Sequence, residues 1–368
     1  GHYSEALLPH NRGFDTAYGY MTGMEYYYTR EHTVMLDAKY WQDHFYAESE
    51  DWSGYEGGNM SYPDTMNGTY GPELHLQRAQ EVIASHDTSS SMFLYYASQN
   101  VHAPLDDPPD EIITSEMTDF IDQNSINANT ELYLESMVWL DYQVGQVKQS
   151  LEDKGMLDDT LFIFISDNGG CHYGGGYNSP LRGDKGTLYE GGVRTNAFIW
   201  STQFSDDTRG TAYTNLMHVS DWAPTIYSAL DLDFSPDDLD GVSHWEQFNG
   251  LSDEVPREVV LLNFDPDIDA HARSIIVGDM KLIYEFSDKW YDGSEDTDDD
   301  SSSNDGSEDN DDNSGRRLRT TDIECTVTAS STVYAQVYNL TSDPYEKNDI
   351  IDSISAELLQ YLNDTLYD

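Results

Sequence analysis

An α/β fold, with a sheet flanked by helices and a smaller α+β subdomain at the C-terminal end, is the class that this sequence predicts. Three observations carry it. The apolar runs MFLYYAS (92–98), LFIFIS (161–166) and NAFIW (196–200) have strand length. The first two are separated by a long amphipathic stretch with helical spacing. Past Leu251 the pattern changes to short strand candidates in quick succession, VVLLNF, SIIVG and KLIYEF, and then a helix around Ile354 to Leu362. Strands buried on both faces and joined through helices predict a parallel sheet covered by helices. The change near Leu251 divides the chain into 1–250 and 251–368.

The elements follow in order. Residues 1 to 75 are rich in Tyr, Gly and polar residues and read as ordered loops. From Glu73 to Ser85, the apolar residues Leu76, Ala79, Val82 and Ile83 recur on one helical face. The strand run 92–98 comes next. Thr130 to Lys154 predicts a long helix with Met137, Leu140, Val144, Val147 and Leu151 as its apolar stripe, ended by Gly155. Within the C-terminal part, the insertion 292–315 is expected to be disordered. Asp292 to Asp312 contains eleven acidic residues and no apolar one, too little to offset ordering entropy.

Charge limits the partners. The 368 residues hold 18 Lys and Arg against 69 Asp and Glu, a net charge of −51. The insertion holds a minority of those acids, so acidity belongs to the whole chain. Nucleic acid is excluded as a default partner, because phosphate binding needs cations. No apolar run approaches the roughly 20 residues that cross a bilayer, so membrane insertion is not expected. Two cysteines, Cys171 and Cys325, allow one internal bridge at most. Sequons at Asn59, Asn67, Asn339 and Asn363 point to glycosylation in the secretory pathway, with an extracellular or lysosome-like destination. The opening Gly1-His2-Tyr3 reads as a fragment or a mature chain.

Two strand runs end in polar residues. MFLYYAS leads into Gln99-Asn100-Val101-His102, and LFIFIS into Asp167-Asn168-Gly169-Gly170. Ligands of open α/β sheets sit outside the carboxyl ends of strands. An adjacent carboxylate and carboxamide offer hard oxygens suited to Ca²⁺ or Mg²⁺. An ordinary turn would use the same four residues. Next comes SPLRGDKGTLYEGGVRT, Ser179 to Thr195, which gathers Arg182, Lys185 and Arg194 in an acidic chain. Such a cluster serves an anionic substrate group or balances nearby carboxylates. His218 and Asp221 read as a tie for the helix that starts near Trp222, and His172 as either a pocket or a solvent residue.

Taken together, GFDTAYGYMTG (13–23), SQNVHAPL (98–105), LFIFISDNGG (161–170), SPLRGDKGTLYEGGVR (179–194), HVSDWAPTI (218–226) and VYNLTSDPYEKND (337–349) resemble the type I sulfatases. The likeness is to the arylsulfatase B-like, or N-acetylgalactosamine-4-sulfatase-like, branch. It covers Gly1 to about Asp349, with the motifs in family order. The resemblance implies an alkaline-phosphatase-like fold that hydrolyses sulfate esters of carbohydrates or aryl alcohols, with one Ca²⁺ and a formylglycine nucleophile. By the same resemblance Asp167 and Asn168 belong to the metal shell. Lys185 contacts the sulfate, and His102 stands beside the leaving-group oxygen.

The family pattern is incomplete here. Neither Cys171-His172-Tyr173 nor Cys325-Thr326-Val327 fits the Cys-x-Pro-x-Arg motif of the nucleophile. The Asp-Asp pair of the metal shell and a Lys-x-His are missing too. All belong upstream in the family, so the expectation is a chain lacking its N-terminal part and inactive by itself. Two other readings remain: a phosphodiesterase or phosphonate hydrolase of the same superfamily, and an inactive relative that binds sulfated glycans.

Overall fold

The computed structural model describes residues 9–20, 25–33, 40–42, 44–48, 68–233, 235, 239–264, 272–285, 320–321 and 334–367. In chain order the strands are β1 (Thr16–Tyr20), β2 (Glu31–Thr33), β3 (Tyr40–Gln42), β4 (His44–Glu48), β5 (Leu105–Asp106), β6 (Phe162–Ile165) and β7 (Ala197–Trp200). They continue with β8 (Val259–Phe264), β9 (Arg273–Val277), β10 (Met280–Glu285), β11 (Thr320–Thr321) and β12 (Tyr334–Asn339). The helices are α1 (Gly71–Ser85), α2 (Ser115–Asn124), α3 (Ala128–Asp153), α4 (Glu190–Val193), α5 (Trp222–Ala229), α6 (Trp245–Phe248) and α7 (Ala356–Tyr367). The chain forms two compact units. The insertion 292–315, Arg316 to Arg319, Asn59 and Asn67 lie outside the described residues.

The first unit comprises 1–158, 173–175 and 301–324. Its α1 opens with Pro72 and Glu73 in the first turn, where a missing N–H costs nothing and a carboxylate suits the helix dipole. α3 opens on Asn127, whose side-chain oxygen accepts from the Thr130 N–H at 2.9 Å. It closes at Gly155, which takes φ +73° while the Met156 N–H returns to the Leu151 carbonyl at 2.8 Å. The core is aromatic. Tyr70 lies between Tyr27 and Trp139, each ring centroid 5.2 Å away, with Leu105 and Leu132 beside them.

Two sequence expectations change here. Exposure alternates along the run 92–98, but it is not hydrogen-bonded into a ladder among the described residues. Its odd positions are open: Phe93 is 68% exposed and Tyr95 70%. The buried face of α3 is Leu132, Ser136, Trp139, Gln143, Val147 and Leu151, rotated from the expected stripe, and Met137 is exposed. Two polar side chains on the buried face account for the rotation, and both serve the loop after residue 98.

The second unit comprises 159–172, 176–300 and 325–368. β6 pairs with β7 antiparallel, Phe162 opposite Trp200, and the other strand pairs described are antiparallel too. The parallel pairings expected between successive apolar runs are therefore not among the described ladders. A four-stranded sheet in the order β12-β10-β9-β8 follows. Period-two alternation gives it two apolar faces. Ile275, Leu282 and Val337 pack on Leu362 and Leu366 of α7. Ile283 and Tyr338 face the other way, with Ala272, and receive Leu188 and Tyr189 from the loop before α4.

Candidate active site

In the second unit β6 delivers Asp167 to a turn that backbone bonds close. The Ser166 N–H donates to the Asn196 carbonyl at 2.9 Å, keeping the chain beside the start of β7. The Asn168 N–H donates to Asp167 Oδ1 at 2.9 Å, and Asn168 Nδ2 to the Gly169 carbonyl at 3.0 Å. Asp167 is exposed and Asn168 half-buried. Two hard oxygen groups thus stand at one strand end, chemistry that fits part of a calcium shell. Among the described residues, no group of three His, Cys, Asp or Glu side chains forms a metal cluster.

Glycine contacts join this turn to the Lys185 loop. The Gly169 N–H reaches the Gly192 carbonyl at 3.0 Å, and the Lys185 N–H the Gly170 carbonyl at 2.9 Å. A Cβ on Gly169 would lie 1.7 Å from the Gly191 carbonyl oxygen, and one on Gly191 2.2 Å from that of Gly183. Backbone is packed on backbone, so no side chain fits at either position. Asn178 is a second brace: Oδ1 accepts from the Gly170 N–H at 2.7 Å, and Nδ2 donates to the Gly170 carbonyl at 2.9 Å and to Asp184 Oδ1 at 3.1 Å. His172 Nδ1 pairs with Asp184 Oδ2.

The cations of this loop divide. Arg182 Nη1 donates to the Tyr338 hydroxyl at 2.6 Å, and its guanidinium covers the Tyr189 ring at 4.1 Å. Burial pushes the Tyr338 phenol up to about 12 despite that guanidinium. Arg194 stands 3.9 Å from Glu190. Stacking and a hydrogen bond engage Arg182 and an ion pair engages Arg194; Lys185 is half-buried beside the Asp167 turn.

His102 belongs to the first unit. A polar network holds its segment. Asn100 Nδ2 donates to Ser136 Oγ at 2.7 Å and to the Tyr70 hydroxyl at 2.9 Å, and Gln143 Nε2 donates to Asn100 Oδ1 at 2.6 Å. The Tyr27 hydroxyl meets the Gln99 and His102 carbonyls at 3.0 and 2.9 Å. Burial holds that phenol well above its ordinary pKa, so it stays a donor. His102 Nδ1 lies 2.5 Å from the Ala103 carbonyl, which can only accept; Nδ1 is therefore the protonated nitrogen.

The Sulfatase family profile matches residues 1–232, more than half of the chain. The chain belongs to the sulfatase family. Arylsulfatase J of Mus musculus is 34% identical over 271 residues, 72% of this chain and 41% of that protein. The chain thus spans less than half the length of that relative. Among solved structures, Ps i-CgsB with k-i-k-neocarrahexaose has a TM-score of 0.67 at 18% identity, covering 98% of this chain and 68% of that one. The PsFucS1 sulfatase from Pseudoalteromonas sp. has a TM-score of 0.65 at 18% identity, covering 99% and 67%. The fold is the alkaline-phosphatase-like α/β fold of these sulfatases.

Of the residues singled out in the sequence, Asp167, Asn168 and Lys185 are joined in one unit of the chain, and His102 follows the run 92–98 in the other. Cys171 is disulfide-bonded. Two sequons carry described contacts. Asn363 on α7 accepts from the Tyr284 hydroxyl at 2.6 Å and donates to Leu359 at 2.9 Å, while Asn339 Oδ1 accepts from the Ser342 N–H at 3.0 Å. Sequence reading missed Asn100, Gln143 and Asn178. Asn100 lies within a quoted motif and Asn178 one residue before another, and that proximity was the signal available. No described helix is long and apolar enough to cross a membrane.

Proposed function

We propose that this sulfatase family member is a sulfuric ester hydrolase of the arylsulfatase B-like branch, acting on sulfated carbohydrate or aryl sulfate esters. The observation that carries the reading is the union of the Asp167-Asn168 turn with the Lys185 loop through glycines that admit no Cβ. An anion site of this kind needs a fixed geometry between metal ligands and a cation. The fold shared with a protein solved with k-i-k-neocarrahexaose agrees with a carbohydrate ester.

In this reading the Asp167 carboxylate and the Asn168 carboxamide oxygen would hold one Ca²⁺, as two of the roughly six to eight oxygens that calcium takes. Calcium bound there would supply positive charge to a sulfate ester. Lys185 places its ammonium on the sulfate and offsets charge that grows as the ester bond breaks. His102, with Nδ1–H committed to the Ala103 carbonyl, acts from its doubly protonated form: Nε2 gives its proton to the departing alkoxide and the ring is left as the neutral Nδ1–H tautomer.

The formylglycine nucleophile of this reading comes from a Cys-x-Pro-x-Arg motif that the 368 residues do not contain. By themselves they are therefore inactive or nearly so. Passage through the secretory pathway, with glycans on Asn59, Asn67, Asn339 and Asn363, completes the reading.

The test is turnover of 4-nitrophenyl sulfate by the 368 residues and by a longer chain that carries the nucleophile motif. The short chain should be silent and the longer one active. In the active chain Lys185→Ala should lower kcat by about 10², the scale of a lost charge-stabilising donor. His102→Ala should hurt alkyl sulfates more than activated aryl esters. Turnover by the short chain within tenfold of the longer one would sink this assignment.

A further inference from the structure

Beneath the Lys185 loop, in the same unit, lies a charge cluster that sulfate chemistry does not require. Lys281 of β10 is 0% exposed. Its Nζ stands 2.8 Å from Glu190 Oε1 and 2.9 Å from Glu346 Oε1. The other Glu346 oxygen accepts from the Glu190 N–H at 2.6 Å, at the first residue of α4. Arg182, at the other end of the loop, reaches the Tyr338 hydroxyl. The Tyr189 hydroxyl donates to Gln336 Oε1 at 2.5 Å. Both ends of the segment that carries Lys185 are thus tied to the four-stranded sheet, and the Gly191 N–H to Arg182 carbonyl bond of 2.6 Å draws them together.

A buried ion pair is an expensive way to hold two elements together, because apolar residues of equal volume often do as well or better. What it adds is a defined geometry. Lys281 offers a short, directional charge to two carboxylates that come from different stretches of chain. One is fixed to the start of α4 and the other to the segment after β12. Shifting the loop along the sheet would leave a carboxylate buried without its cation.

We propose that Lys281, with Glu190 and Glu346, is a positioning device that sets the Lys185 loop against the Asp167 turn. The sheet after Leu251 thereby governs the geometry of the candidate anion site. This rests on the reading that Lys185 contacts the sulfate.

Amide hydrogen exchange of the 368-residue chain, followed by NMR, tests it without turnover. In Lys281→Met the amides of Lys185, Gly169 and Gly191 should exchange at least tenfold faster. The Ser166 amide, bonded to Asn196 beside the β6–β7 pair, should keep its rate, and Lys281→Arg should restore much of the protection. If Lys281→Met does not fold, Lys281→Met/Glu346→Gln removes a charge of each sign and is measured instead. Unchanged loop amides in a folded variant, or a rise shared equally by Ser166, would overturn the proposal. Failure of both variants to fold would overturn it too, marking the cluster as a stability element. Retained turnover in Lys185→Ala would remove the sulfate-contact reading alone, since the exchange result does not depend on it.

Discussion

Asp221 is sealed from water and met by donors from every side. The His218 and Val242 N–H groups each donate to it at 2.8 Å, and Arg257 grips both oxygens at 2.8 and 2.5 Å. His244 Nε2 stands 3.2 Å away. Burial alone would raise its pKa; hydrogen bonds from His244 and Arg257 outweigh that and hold it well below the carboxylate range. A depressed folded pKa adds stability that is complete above the ordinary Asp value of about 4 and is lost as pH falls below it. Asp221→Asn should cost about 3–5 kcal/mol, because it leaves Arg257 partly buried without its counter-charge. Urea titration between pH 7 and 3 checks both statements: the gap between wild type and variant should narrow only on the acid side. Glu346 has the opposite sign. Burial outweighs Lys281 and raises its pKa, so its contribution is greatest below the ordinary Glu range and declines as pH rises through it.

At the scale of elements, α3 separates propensity from packing. Gly145 lies on its exposed side, where a Cβ would meet nothing within 4 Å. Gly145→Ala should therefore stabilise by about 0.5–1 kcal/mol, read as a higher thermal midpoint. Gln143→Leu keeps the bulk but strands Asn100 Oδ1 and removes the acceptor of the Tyr96 hydroxyl, 2.7 Å from Gln143 Oε1. It should cost about 1–3 kcal/mol by the same measurement. The contrast shows what periodicity could and could not reveal. Repeating apolar residues located α1 and α3 to within two residues at each end, and the apolar runs located β6 and β7. The inward side of α3 was misread because Ser136 and Gln143 are polar, and only the chain near Asn100 gives them a reason to be buried. Pairing direction was equally hidden: an apolar run records that a strand is covered, not which neighbour its N–H groups choose. The candidate site was more legible than the ladders. Asp167, Asn168 and Lys185 stand on glycine turns whose backbone contacts demand that spelling. Glu346 gave no such sign, since its partner Lys281 lies 65 positions away in sequence.

Over the whole molecule, charge outweighs every other feature. Sixty-nine acidic residues against 18 basic ones leave a net −51, and the ion pairs described engage only a fraction of the acids. Self-repulsion of this size destabilises any compact state at low ionic strength. Raising salt from 10 to 150 mM shortens the screening length from about 30 to about 8 Å, so the thermal midpoint should climb over that range. Under the proposed function the same field would act on a sulfated substrate. A protein that binds polyanions through a basic face loses affinity as salt rises, because its counterion release is weakened. Under the proposed function the long-range field repels the substrate, and attraction is confined to the few groups around Lys185. Screening should therefore weaken the repulsion more than the contact. For the active form, KM for a polysulfated oligosaccharide should fall between 10 and 150 mM NaCl, while KM for a monosulfated aryl ester should move much less. A KM for the oligosaccharide that rises with salt would mean that a local basic surface outweighs the net charge, and substrate approach would have to be traced to that surface instead.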